Sequence, residues 1–240
     1  MGSVAGTLKK RSYSMPGRPL PVASIIDYGM GNLFSVKQAC RYAGIDPVIT
    51  ADRSVIRDSD ALILPGVGAF GDAMKCLEDM GLIPVIKDFI STGKPFMGIC
   101  LGLQLLMSES EEFGNHKGLD IIKGRVVKFP ENNEDGNKNK VPQVCWNRIC
   151  MNSNTVHKGW ENTPLMGIDD GEFMYFVHSY YVLLDNKELI LSTTDYGGME
   201  YCSSILWKNV FAVQFHPEKS ATEGLKIYKT WIGLLANDRA

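Results

Sequence analysis

Cys100 stands in the stretch Lys94-Pro95-Phe96-Met97-Gly98-Ile99-Cys100-Leu101-Gly102-Leu103-Gln104, an apolar run that breaks at a thiol with glycines two residues away on each side. A strand that turns at once into a helix forces its corner residue into strained backbone angles, and neighbours without side chains make the turn possible. A thiol on that corner lies at a helix N-terminus, where partial positive charge favours thiolate and backbone N–H groups can hold an oxyanion. A lone cysteine in a glycine-rich turn is as readily an inert core residue, so its partners decide. They come 116 residues later, in Val210-Phe211-Ala212-Val213-Gln214-Phe215-His216-Pro217-Glu218. In extended chain, residues two apart project to the same side, so Glu218 is expected to orient the His216 imidazole while the other ring nitrogen takes the proton from Cys100. Pro217 keeps His216 out of the α region.

Further short segments complete a pattern. Pro65-Gly66-Val67-Gly68, Gly98-Ile99-Cys100-Leu101-Gly102-Leu103-Gln104, Tyr175-Phe176-Val177-His178-Ser179-Tyr180 and Gln214-Phe215-His216-Pro217-Glu218 resemble, in order, the motifs of the class I glutamine amidotransferases. Within that family, Ile26-Asp27-Tyr28-Gly29-Met30-Gly31-Asn32-Leu33 and Trp146-Asn147-Arg148 are most similar to the glutaminase subunits of imidazole glycerol phosphate synthases. The likeness runs from about residue 22 to about residue 236.

The resemblance implies a reaction: a thiolate attacks the side-chain amide of L-glutamine, ammonia leaves, and water hydrolyses the thioester to glutamate. Carried over residue by residue, it makes Cys100, His216 and Glu218 catalytic and draws an oxyanion hole from Leu101 and the loop around Val67 and Gly68. It assigns glutamine binding to Gln104, His178, Ser179 and Tyr180, with no catalytic role for His178. No cofactor and no metal is implied.

The resemblance also implies a synthase that consumes the ammonia, in a heterodimer, with Tyr28, Asn32, Trp146 and Asn147 in the segments that face it. One departure bears on its identity. The common histidine-pathway pattern reads Pro-His-x-Gly-Trp-Asn where this chain has Pro142-Gln143-Val144-Cys145-Trp146-Asn147. The expected partner is the cyclase subunit of imidazole glycerol phosphate synthase. The alternative is an N-acetyl sugar amidotransferase of surface-polysaccharide synthesis, and a reading of another class is a partner-binding subunit without turnover.

The elements that must position these residues alternate. Strand signals at Val22–Asp27, Pro47–Thr50, Ala61–Leu64 and Phe96–Ile99 are separated by helical spacing from Leu33 toward Gly44, at Asp72–Met80 and at Leu82–Ser91. That order predicts an α/β fold with a doubly wound, mostly parallel, flavodoxin-like sheet whose active loops lie at the strand C-terminal ends. Strand signals at Phe173–Val177, Leu189–Thr193, Cys202–Trp207 and Val210–Phe215 predict antiparallel additions. Leu225, Tyr228, Trp231, Ile232 and Leu235 form one face of a last, core-packing helix. Glu131–Lys140 reads as a polar surface loop.

Composition fits this reading. The 240 residues are 45% hydrophobic with a net charge of −2 and mixed signs, which announces no nucleic-acid surface. The six cysteines form no C-x-x-C pair and no zinc-like spacing with the four histidines, so a reducing, cytoplasmic setting is expected. No apolar run reaches the length of a membrane span. Residues 1–21 carry Lys9, Lys10, Arg11 and Arg18 without an acid and read as a disordered leader, a tag remnant or a transit sequence. Residues 22–240 then form a single domain.

Overall fold

The computed structural model describes residues 20–132, 136, 138–152 and 159–237. Most of the leader, part of the Glu131–Lys140 segment and the last three residues lie outside them.

The first half alternates as the spacing predicts: β1 (Val22–Ile26), α1 (Leu33–Tyr42), β2 (Asp46–Thr50), α2 (Arg53–Asp58), β3 (Ala61–Gly66), α3 (Phe70–Asp79), α4 (Ile83–Ser91), β4 (Phe96–Cys100) and α5 (Leu101–Leu105). Short strands β5 (Glu109–Ser110) and β6 (His116–Lys117) follow, then β7 (Gly124–Lys128), β8 (Gln143–Met151), β9 (Glu172–His178) and β10 (Tyr180–Leu184). The chain ends through β11 (Ile190–Tyr196), β12 (Met199–Trp207), β13 (Val210–Val213) and α6 (Ala221–Asn237).

The main sheet runs β2-β1-β3-β4-β13-β12-β11-β8-β9. Its first five strands are parallel, in the flavodoxin-like order. From β13 to β9 every pairing is antiparallel, so the antiparallel additions are as large as the parallel part. A second sheet, β10-β7-β5-β6, covers the elbow side.

Alternation along the parallel strands builds two cores. Ala23, Ile25, Ile63, Met97, Ile99, Phe211 and Val213 pack with Val36 and Cys40 of α1 and with Tyr228 and Trp231 of α6. Ile26, Leu62, Leu64, Phe96, Val210 and Ala212 pack with Ile56, Phe70, Leu77, Ile86 and Phe89 of α2 to α4. Helices on both faces leave the strand ends as the open edges of the sheet. The α6 stripe is as expected where described: Tyr228, Trp231 and Ile232 are buried and Leu225 packs against the core.

Three differences from the sequence reading have physical causes. Helix α2 is only six residues, too short for its periodicity to stand out, and Asp52 caps it by accepting from Ser54 N at 2.8 Å and Val55 N at 3.2 Å. Strand β8 buries Gln143 and Ile149 but exposes Val144 and Trp146, so its alternation reads inverted. Within Glu131–Lys140 the described residues turn back on themselves, with Asn132 bridged to Lys138 and Asn139 N donating to Glu131 O at 2.8 Å.

Candidate active site

Strand β4 delivers Cys100 to the C-terminal edge of the parallel strands, where the chain turns into α5 with Cys100 at φ 55° and ψ −107°. A non-glycine residue held there carries backbone strain of about 1–3 kcal/mol. The flanking glycines explain how the turn is tolerated. A Cβ on Gly102 would run into the carbonyl oxygen of Leu64 on β3, and one on Gly98 would lie 2.9 Å from Gly102 O. Cys100 is buried at 6% exposure, and its sulfur touches the amide of Gln214 at 3.6 Å.

His216 and Glu218 form a buried pair, with Nδ1 of the ring 2.8 Å from Glu218 Oε1 and side-chain exposures of 2% and 1%. The expected extended geometry is not what brings them together. His216 is extended, but Pro217–Lys219 is a 3-10 turn that folds the carboxylate back under the ring. The His216 backbone is held from both sides: its N–H donates to Tyr175 O of β9 at 2.9 Å, and its carbonyl accepts from Ser220 Oγ at 2.7 Å. Burial works against the charged imidazole, but the negative charge of Cys100 and of Glu218 outweighs it and holds the His216 pKa well above its ordinary value. No group among the described residues meets strict hydrogen-bond geometry with Nε2 of the ring, yet the Cys100 thiol is near enough to raise the ring's pKa by hydrogen bonding as well as by charge, so that nitrogen is placed to exchange a proton with Cys100.

A cleft of about 260 Å³ opens over the thiol. Val67, Gly68, Cys100, Leu101, Gln104, His178, Ser179 and Tyr180 all line it, so the oxyanion and glutamine-binding candidates converge. Gly68 has φ 109°, a conformation that favours glycine, and Leu101 opens α5 directly after the thiol. Gln104 is tied down, its Nε2 donating to Tyr180 O at 2.9 Å and Gln214 Oε1 at 3.2 Å. His178 Nδ1 also binds Tyr180 O at 2.9 Å, and full burial lowers the His178 pKa to about 4, so the ring is neutral. A larger depression, about 870 Å³, lies among Pro95, Asn209, Trp207 and Trp231, at the opposite end of β4 from Cys100.

Two residues of the site escape the sequence reading. Gln214 links Gln104 to the thiol, and its position just after β13 and two before His216 was the available signal. Glu112 lines the cleft and accepts from Phe70 N at 2.7 Å, capping α3, whose own N-cap Ala69 has no side-chain acceptor. Burial raises its pKa despite that bond. Nothing in the motif spacing marks it.

The four partner-facing candidates separate. Trp146 is 49% exposed on β8, edge-on to Tyr175 with ring centroids 6.1 Å apart. Asn147 is half-buried and donates to Asp195 O at 2.7 Å. Asn32 caps α1, accepting from Ser35 N at 3.3 Å. Tyr28 does not fit a contact surface: it is buried at 2% exposure, and its hydroxyl donates to Pro65 O at 2.8 Å beneath Gly66. Its aromatic ring fills core space and braces the Pro65–Gly68 loop from below.

Among the described residues, no group of three or more His, Cys, Asp or Glu is placed to hold a metal, and no helix is long and apolar enough to cross a membrane.

Comparison with known proteins agrees with this geometry. Residues 24–231 match the family described as glutamine amidotransferase class-I. The chain is 47% identical over 209 residues to the imidazole glycerol phosphate synthase subunit HisH of Syntrophotalea carbinolica, covering 86% of this chain and 97% of that one. It is 46% identical over 208 residues to the HisH subunit of Aquifex aeolicus, covering 86% and 94%. Among solved structures, PurLQS from Thermotoga maritima aligns with TM-score 0.65 at 20% identity over 90% of this chain and 99% of that one. A glutamine amidotransferase, also from Thermotoga maritima, aligns with TM-score 0.56 at 14% identity over 93% and 86%. The structures speak for the fold, the sequence matches for descent: the chain belongs to the class I glutamine amidotransferase family.

Proposed function

We propose that this protein is the glutaminase subunit of an imidazole glycerol phosphate synthase, hydrolysing L-glutamine to glutamate and passing the ammonia to a cyclase subunit in histidine biosynthesis. The observation that carries the chemistry is the buried His216–Glu218 pair set behind an elbow thiol that floors a cleft. Cys100 attacks the amide carbon of glutamine. The oxyanion is held by the Leu101 N–H and by an N–H of the Val67–Gly68 loop, which adjoins the elbow because Gly66 pairs with Cys100 across β3 and β4. His216, its charged form favoured by Glu218, gives a proton to the departing ammonia and then takes one from the water that opens the thioester. Gln104, His178, Ser179 and Tyr180 shape the glutamine pocket, and the Glu112 carboxylate suits the α-ammonium end.

The acceptor is read from the relatives, which are named as synthase subunits, and from the outer face of β8. Val144 and Trp146 are exposed there beside Phe173 of β9, with Arg148 stacked 4.5 Å over the Phe173 ring. An aromatic and arginine patch of this kind suits a protein interface. The departures from the histidine-pathway pattern do not alter that face: Gln143 is fully buried, and Cys145 alternates with it on the inner side of the strand. The sugar amidotransferase is therefore the second choice.

A glutamine-mimicking electrophile should label Cys100, and His216→Ala should abolish labelling. Hydrolysis by the isolated chain should be slow and rise strongly with a cyclase partner and its acceptor. No labelling even with the partner bound would favour a non-catalytic subunit, and stimulation by a sugar amidotransferase alone would move the acceptor.

A further inference from the structure

The buried inner face of β8 meets the glutamine pocket through one tyrosine. Gln143 lies opposite His178 in the β8–β9 register, and Tyr201 of β12 bridges them. The Tyr201 hydroxyl is 2.9 Å from Gln143 Oε1 and 3.3 Å from His178 Nε2, while Gln143 Nε2 is 3.7 Å from Cys145 Sγ. All of this sits within rings of Phe129, Phe176 and Tyr181, which offer no hydrogen bonds of their own to the group.

Hydrogen counting settles the direction of the chain. The partner of His178 Nδ1 is a carbonyl, which cannot donate, so Nδ1 carries the hydrogen and the neutral ring presents a bare lone pair at Nε2. Tyr201 has one hydrogen. If it goes to Gln143 Oε1, two acceptors face each other at 3.3 Å and the histidine nitrogen is left without a donor. A half turn of the amide exchanges its oxygen and nitrogen without changing its shape. Gln143 Nε2 then donates to Tyr201, Tyr201 donates to His178 Nε2, His178 Nδ1 donates to Tyr180 O, and Cys145 S–H donates to Gln143 Oε1. Each of these four residues then has a partner, the Thr194 hydroxyl beside Tyr201 can donate to the same phenol oxygen without supplying a hydrogen to His178, and leaving the ring nitrogen unsatisfied would cost about 1–3 kcal/mol in a buried site.

We infer that Gln143, through Tyr201, fixes the tautomer and orientation of His178, so that the residues standing where the family pattern has histidine and glycine act as positioning residues for the glutamine pocket. His178 and Gln104 share the Tyr180 carbonyl, so a change in the ring reaches the pocket floor directly. The inference rests on the glutaminase reading for its kinetic consequence only.

Two variants test it. Tyr201→Phe removes the hydrogen, and Gln143→Glu, once ionised toward the upper end of the pH range, can only accept and takes that hydrogen for itself. With 15N-labelled histidine, long-range 1H–15N spectra of the four imidazoles, with the His178 signal assigned by its loss in His178→Asn, should show His178 in the Nδ1–H form with hydrogen-bonded Nε2 between pH 6 and 8. Both variants should shift Nε2 to its unbonded position. Both should raise the glutamine KM about tenfold, one hydrogen bond's worth, with kcat within about twofold, and Gln143→His, which can donate to Tyr201, should restore both readouts. An Nε2–H tautomer in the wild type, an unshifted ring in Tyr201→Phe, or an unchanged KM in both variants overturns the inference. The ring spectra need no turnover. A wild-type chain that never hydrolyses glutamine but gives the expected spectra sinks the glutaminase reading and leaves the hydrogen-bond chain standing.

Discussion

His216 holds its proton against burial because two negative groups face it, and that has a signed consequence for stability. A folded pKa above the unfolded value near 6.5 means that the charged pair stabilises the fold fully below that pH. The contribution declines as pH rises and is gone above the folded value of about 10. Chemical denaturation of the wild type and of His216→Asn should therefore show an advantage for the wild type that shrinks between pH 6.5 and about 10. A difference that grows with pH would contradict the charged pair. At this scale the sequence was most legible for Cys100, His216 and Glu218, because each sits in a short motif whose chemistry is local. Glu112 and Tyr201 were not legible, because their roles depend on where β5 and β12 are carried by the fold. Tyr28 reads like a surface aromatic from its glycine-rich neighbours, and only its burial under the Pro65 carbonyl reveals a bracing role.

At the scale of elements, the elbow is a contact between three of them. Gly102 on α5 lets the helix sit against the Leu64 carbonyl of β3, while Gly98 on β4 clears the Gly102 carbonyl. Gly102→Ala should cost about 3 kcal/mol, at the upper end for overpacking, because the new methyl meets backbone rather than a side chain that can move. Thermal unfolding measures it, and a loss below about 1 kcal/mol would mean that α5 can slide away from β3. The parallel strands and their helices were readable because they are apolar runs bounded by helical periods. Strand β8 was not, since Val144, Trp146 and Met151 are exposed while Gln143 is buried, and β5, β6 and α2 are too short to show a period at all.

At the scale of the whole molecule, the buried His216–Glu218 pair and the proposed docking face are joined by β9. Tyr175 lies opposite Trp146 in the strand register, and its carbonyl accepts the His216 N–H at 2.9 Å. Pressure on Trp146 is thus two contacts from His216. Trp146→Ala should weaken cyclase binding by about 2 kcal/mol, roughly 30-fold in Kd, while leaving hydrolysis by the isolated chain within about twofold. Titration calorimetry and a glutamate assay separate the two effects, and an unchanged Kd would remove Trp146 from the interface. The strict alternation of β8 carries a lesson for evolution and for engineering. Outward positions Val144, Trp146 and Arg148 can drift toward a new acceptor enzyme without disturbing the inward Gln143 and Cys145, so one glutaminase can be rewired between pathways by point substitutions. Loss of a single residue from the strand would instead trade the two faces, presenting the amide and thiol to the partner and driving the indole into the pocket wall. The outward positions of β8 can therefore change in composition, while the length of the strand is fixed by the two faces it must keep apart.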